Sequence, residues 1–273
     1  MCEMSKSAHP EGSLPHKEAL QWIYRRGRLP KLPQRVESDA TGIALATKSR
    51  TLRLYALRIA PNAFASSYEI ENQWGLDQTI ARLSNPNAAH FVSLRTDSGA
   101  FTQATEDLAA LLSVEWTGFI ALLGPENKGP AQISAKKDPL AHMTSSGLLN
   151  GLVRAGPEVI IAHTADSDAL DFHIGAVFVD PSARRGGIGM ALIDAALSEA
   201  ESQTRRQGAT GFECTIHVDK HNDAAVTLYQ KAGFVVLGEE TYVQQAAAPE
   251  TGETRVIERV AYLMEVKRAV SQT

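Results

Sequence analysis

Residues 172–189 read FHIGAVFVDPSARRGGIG, and their reading decides the fold. Phe172 to Val179 is an apolar run of strand length, and Asp180 to Gly187 has the composition of a turn. Ile188 then opens a helix to about Gln207, with Ile188, Leu192, Ile193, Ala196, Leu197 and Ala200 on one stripe and Gly208 as its stop. The first N–H groups of a helix have no partner inside it and lie at the positive end of its dipole. Glycines let a ligand approach that backbone closely, and Arg184 and Arg185 add charge beside it. Such a turn suits an anion such as a pyrophosphate. Taken alone, a Gly-rich strand-to-helix turn is more often only a tight turn.

Downstream, Phe212, Cys214, Ile216 and Val218 alternate with Glu213, Thr215 and His217, the pattern of a half-buried strand. Asn222 caps a short helix over Asp223 to Ala232, Gly233 ends it, and strands follow at Val235 to Val243 and Arg255 to Lys267. Upstream, Thr51 to Ala60 reads as a helix stopped by Pro61, and Phe64 to Leu83 as a second helical region. His90 to Arg95 and Trp116 to Leu123 read as strands, with a turn or short helix between them. The order β-α-α-β-β-insertion-β-α-β-α-β-β predicts an α/β fold: one mixed sheet with helices on its faces. Residues 1–34 read as an N-terminal extension and 35–268 as the domain. Residues 124–171 are an insertion of loop composition, whose patch at Leu148, Leu149, Leu152 and Val153 is a candidate lid over an acceptor site.

The bulk composition excludes several classes. The chain has 273 residues, 44% of them hydrophobic, with a formal net charge of -4. That acidic balance argues against nucleic acid as the main partner. Without an apolar run of about 18 residues, no membrane span is expected. Residues 1–13 lack the order of a secretory signal, and two cysteines, Cys2 and Cys214, make no disulfide framework; the expectation is a cytoplasmic protein. The basic stretch Lys17 to Lys31 reads as a solvated extension rather than a docking arm. The helix opens Gly-Ile-Gly-Met, not Gly-Lys-Ser/Thr, and the third glycine of a dinucleotide motif would fall on Leu192. His217 and His221 span a strand end and a loop, so no metal site is expected.

Arg184-x-x-Gly187-x-Gly189 matches the Q/R-x-x-G-x-G/A motif of the GCN5-related N-acetyltransferases (GNAT), and Asn222-x-x-Ala225-x-x-x-Tyr229-x-x-x-Gly233-Phe234 resembles that family's second signature. The resemblance is strong over Phe172 to Phe234 and extends in outline from Arg35 to Lys267, with Arg53 to Tyr68 similar to the family's first helix and substrate-side loop. It implies a mixed, mostly antiparallel twisted sheet with splayed central strands, and acetyl-coenzyme A as co-substrate. By resemblance, Arg184, Arg185, Gly186, Gly187, Ile188, Gly189 and Met190 would hold the pyrophosphate. Val177, Phe178 and Val179 would pair with the pantetheine arm, and Asn222 would help hold the cofactor. Tyr229 matches the position that protonates the leaving thiolate. By periodicity alone it is a core tyrosine on the stripe Ala225, Leu228, Tyr229, Ala232.

The general base is fixed by no motif. His173 is the first candidate, against the plain reading of a surface histidine at a strand start, with Glu213 and Glu115 behind it. Phe64, Tyr68 and Trp74 are candidates for the acceptor side, although large apolar residues after a helix are more often core. The expected activity is direct transfer of an acetyl group to a primary amine of a small molecule. The alternatives are another acyl donor or an alcohol acceptor, or a CoA-binding sensor without turnover. The sequence assigns no oligomeric state.

Overall fold

The computed structural model describes residues 23–32, 39–96, 108–126, 168–247 and 254–271. Cys2, the N-terminal residues to 22 and the apolar patch of the insertion lie outside them. Seven strands form one sheet: β1 (Ile23–Arg28), β2 (Ala88–Thr96), β3 (Glu115–Glu126), β4 (Ala169–Val179), β5 (Gly211–Asp219), β6 (Val235–Ala247) and β7 (Thr254–Ala269). Their spatial order is β1-β2-β3-β4-β5-β7-β6, and every neighbouring pair is antiparallel except β4 and β5. The fold is thus mixed α/β with a mostly antiparallel sheet, as the motif order predicts. Residues 23–28, part of the stretch read as an extension, supply the edge strand against β2.

The helices are α1 (Ala40–Ile59), α2 (Tyr68–Asn72), α3 (Leu76–Ser84), α4 (Leu108–Ser113), α5 (Ile188–Arg206) and α6 (Asp223–Lys231). Helix α1 starts well before Thr51, because the Asp39 carboxylate accepts from the Thr41 N–H at 3.1 Å and caps it. Its first half buries Gly42, Leu45 and Ala46, of which only Leu45 is large, so the stripe in the sequence is faint. The region read as one helix over Phe64 to Leu83 is two: Ser67 caps α2 through the Ile70 N–H, and Gly75 is the N-cap of α3. Among the described residues, no helix is long and apolar enough to cross a membrane.

Two cores follow from the alternation of the strands. Phe172, Ile174, Phe212, Cys214 and Ile216 pack against Leu192, Ile193, Ala196 and Leu197 of α5 on one face. On the other, Leu45, Leu52, Ala56 and Leu57 of α1 pack with Val92, Leu94, Trp116 and Phe178. Helices α1, α2 and α3 of this second layer are joined by one buried ion cluster. Glu71 of α2 is 3% exposed; it accepts from Arg53 Nη2 of α1 at 2.7 Å and from Arg82 Nη1 of α3 at 2.9 Å. Burial alone would raise the Glu71 carboxyl, but Arg53 and then Arg82 overcome it and hold the carboxyl at about 2.

A depressed folded-state pKa gives stability that is present above the unfolded value of 4.5 and is lost as pH falls through about 2. Urea unfolding between pH 7 and pH 2 should therefore show an acid loss of on the order of 3 kcal/mol from this group. Glu71→Gln should lower stability at pH 7 by roughly 3–5 kcal/mol and flatten that acid limb. An acid limb unchanged in the variant would assign the loss to other carboxylates.

Candidate active site

Strands β4 and β5 pair in parallel only from Ala169↔Gly211 to Ile174↔Ile216. Beyond that point β4 continues along β3, to Gly118↔Val179, and β5 continues along β7, to Asp219↔Ala261. The two strands part, and their facing edges lose each other as hydrogen-bond partners. A bulge accompanies the parting. Ala121 pairs with Gly175 and Phe119 with Phe178, so Ala176 and Val177 share the place opposite Ile120. Ala176 takes φ 55, the left-handed conformation that lets the extra residue fit.

The gap opens into a cleft of about 760 Å³. At one end lies the turn into α5. Arg185 has φ 68 and Gly187 φ 76, whereas Arg184 has φ -69 and Gly186 is not in the positive range, so the sign of φ alternates through the turn. Such alternation curls successive N–H groups into an anion-binding concavity. The first hydrogen bond of α5 runs from Ala191 N–H to Gly187 O at 3.0 Å, and among the described residues no backbone carbonyl accepts from Ile188, Gly189 or Met190. Arg184 Nε donates to Val179 O at 3.0 Å, tying the turn to the end of β4. Gly189 is also fixed by packing, since a Cβ there would stand 2.8 Å from Leu228 Cδ2 of α6.

Val177, Phe178, Val179, Arg184, Arg185, Gly187, Ile188, Gly189, Met190 and Asn222 all line this cleft; Gly186 lies in the turn but not on the lining. Asn222 caps α6, its side chain accepting from the Ala225 N–H at 3.3 Å. Tyr229, two turns further along α6, is buried and lines the cleft, with its ring 6.1 Å from that of Phe234. Among the described residues its hydroxyl has no hydrogen-bond partner, and burial pushes its pKa up, so it holds its proton.

His173 also lines the cleft, its Nδ1 3.0 Å from Thr215 Oγ1. Its ring lies 5.4 Å from that of His217, the next outward-facing residue of β5 after Thr215. His217 Nε2 is 3.1 Å from Glu240 Oε2 of β6. The carboxylate accepts, so Nε2 carries the hydrogen and Nδ1 is left as an acceptor, buried and without a partner among the described residues. Sequence reading considered His217 only as a metal ligand. The signal for its place was the alternation Thr215, His217; its carboxylate partner depends on a long-range strand register that no local pattern encodes.

On the far side, Phe64 lines the cleft and stacks on Phe119 at 6.4 Å. Gln244 Nε2 of β6 donates to Pro61 O and Phe64 O at 2.9 and 2.8 Å, fixing this turn to the sheet. Tyr68 does not line the cleft; it opens α2 and packs against the α1-side core. Trp74 also lies off the cleft, under the Arg82 guanidinium at 5.0 Å. Glu213 is engaged by Lys267 at 2.8 Å and Glu115 by Arg95 at 3.3 Å, and neither lines the cleft. Cys214 is fully buried in the sheet, and burial pushes its thiol pKa up, which leaves it poorly nucleophilic. Among the described residues no group of three His, Cys, Asp or Glu is placed to hold a metal.

Residues 151–236 match the family model described as an acetyltransferase (GNAT) domain. The chain is 38% identical over 66 residues to peptidyl-lysine N-acetyltransferase YjaB of Escherichia coli (strain K12), a region that is 24% of this chain and 37% of that protein. Among solved structures, Arabidopsis thaliana NAA60 in complex with a bisubstrate analogue aligns over 92% of this chain and 99% of its own, at 14% identity and a TM-score of 0.43. Ribosomal-protein-alanine N-acetyltransferase from Brucella melitensis aligns over 82% and 94%, also at 14% identity and 0.43. The parted strands, the Arg184–Gly189 turn and the Asn222–Phe234 helix all lie inside residues 151–236, the span that matches the acetyltransferase (GNAT) domain.

Proposed function

We propose that the chain is an acetyl-CoA-dependent N-acetyltransferase that acts on a primary amine by direct transfer, with a small-molecule acceptor as the leading reading. The observation that carries this is the continuity of one cleft. It runs from free N–H groups and arginines at the α5 turn, along the unpaired edge of β4, to a protonated tyrosine and two histidines. Those features fit the cofactor part by part. A pyrophosphate needs N–H donors and positive charge, and an amide-bearing arm needs a strand edge.

Acetyl-CoA would supply a thioester, activated toward an amine and releasing a thiol. The residues of the chain supply the rest. Ile188, Gly189 and Met190 offer backbone donors to the phosphates, and Arg184 and Arg185 neutralise their charge. Val177 to Val179 present backbone groups to the arm and orient the thioester in the cleft. Tyr229 holds at its Oη the proton that the departing sulfur needs as the C–S bond breaks. His173, anchored through Nδ1 to Thr215, takes the proton the amine must lose as the C–N bond forms. YjaB is named for transfer to peptidyl lysine, so an amine presented by a peptide is the second reading of the acceptor.

The cofactor site is tested by calorimetric titration with acetyl-CoA of two Gly187 variants. Asn and Asp both tolerate a positive φ and have the same shape. Gly187→Asn should bind within a few-fold of wild type, whereas Gly187→Asp, which sets a negative charge against the pyrophosphate, should weaken binding by about tenfold or more. Equal binding by the two variants would place the phosphates elsewhere.

Tyr229→Phe should lower kcat by roughly a hundredfold with little change in the KM for acetyl-CoA. Because burial raises the pKa of Tyr229, the wild-type rate should show no alkaline loss from this group below about pH 10. A variant with full kcat would return Tyr229 to a purely structural role beside Phe234.

A further inference from the structure

A second cavity, of about 100 Å³, lies between α1, α3 and strands β2 to β4. It meets the main cleft at Arg53, Gly175 and Ala176, which line both. Gly175 leaves the junction open: a Cβ there would meet no atom within 4 Å. The space has room for roughly three water-sized groups.

The charge along this cavity is unbalanced. Arg53 and Arg82 both line it, and none of its described lining residues is acidic. Glu71 behind them is one carboxylate shared by two guanidiniums, with both of its oxygens engaged. His90, also on the lining, adds no compensating charge. Burial holds its pKa at about 4, so it is neutral, and its Nε2 lies 3.1 Å from Arg82 O. One positive charge is left over, and Arg53 Nη1 is buried without an acceptor among the described residues. The Arg53 guanidinium lies over the Phe64 ring at 4.5 Å, an arrangement that covers its face and leaves its in-plane N–H directions open. A buried cation with an unused donor is costly unless an anion completes it, and a planar carboxylate fits a guanidinium edge best.

We infer that Arg53 is the binding group for a ligand carboxylate that enters the small cavity past Gly175. The inference rests on the acyltransferase reading of the main cleft. The carboxylate has two possible sources of one chemistry: the far end of a short dicarboxylic acyl group on the donor, or the α-carboxylate of an amino acid acceptor.

Calorimetry of the full chain with acetyl-CoA, succinyl-CoA and pentanoyl-CoA tests the donor. Thiol release from acetyl-CoA with L-amino acids against their α-amides tests the acceptor. One arm should show a carboxylate preference of about tenfold or more. That preference should collapse in Arg53→Lys, which keeps a charge beside Glu71 but loses Nη1, and in Gly175→Val, which fills the junction and leaves the ion cluster intact. If the lysine variant does not fold, the valine variant alone carries the test. Acetyl-CoA binding with no carboxylate preference in either arm overturns this subsite and leaves the acyltransferase reading standing. A preference that survives Gly175→Val overturns it as well. Failure of acetyl-CoA itself to bind removes both.

Discussion

The parting of β4 from β5 after the Ile174↔Ile216 pair is the constraint on which the site depends. A parallel pair buried between helices would ordinarily keep its hydrogen bonds to the end, because unpaired buried backbone is costly. Here each strand remains paired on its outer side, β4 with β3 and β5 with β7, so the sheet tolerates an internal gap. The Ala176 bulge is the local device, absorbing one extra residue of β4 against Ile120. On one side of the gap Ile188, Leu192 and Ile193 of α5 pack into the core, and this fixes the turn ahead of that helix relative to the gap. The anion-suited turn and the strand edge are therefore consequences of a single piece of geometry.

The sequence made part of this legible and concealed the rest, for physical reasons. The stripe of α5 and the alternation of β5 are local periodicities in large apolar residues, and the Arg184–Gly189 and Asn222–Phe234 motifs sit at fixed offsets within them. Local patterns of that kind survive in one sequence. The first half of α1 did not show, because Gly42 and Ala46 are buried without being large. Strand β1 did not show either; its basic residues read as a solvated run, while the pairing that makes it a strand comes from β2. Tyr68 and Trp74 looked like acceptor-side aromatics by their place after a helix. The break of that region into α2 and α3 turns both toward the helical layer, leaving Phe64 on the cleft.

Several motif residues also carry structural duties, and this explains why periodicity gave them two readings. Asn222 caps α6 through its side chain and also lines the cleft. Tyr229 fills the core beside Phe234 and also lines the cleft. Burial is what joins the two roles of the tyrosine. An apolar setting disfavours the phenolate, so the residue that packs best there is also the one that keeps its proton through neutral pH.

Charge is graded along the cleft in a way that the net value of -4 conceals. Arginines and free N–H groups stand at the α5 turn, the middle is lined by Val177, Phe178 and Ile188, and the other end holds His173, His217 and Glu240. A polyanion attached to an apolar arm has one favourable orientation in such a field, with its reactive end toward the histidines. At that end His217 has its hydrogen fixed on Nε2 by Glu240, so its free lone pair is on the shielded Nδ1. His173 is held through Nδ1 instead, and its other ring nitrogen is the one not tied to Thr215. The two imidazoles, 5.4 Å apart, therefore stand in different hydrogen-bond environments.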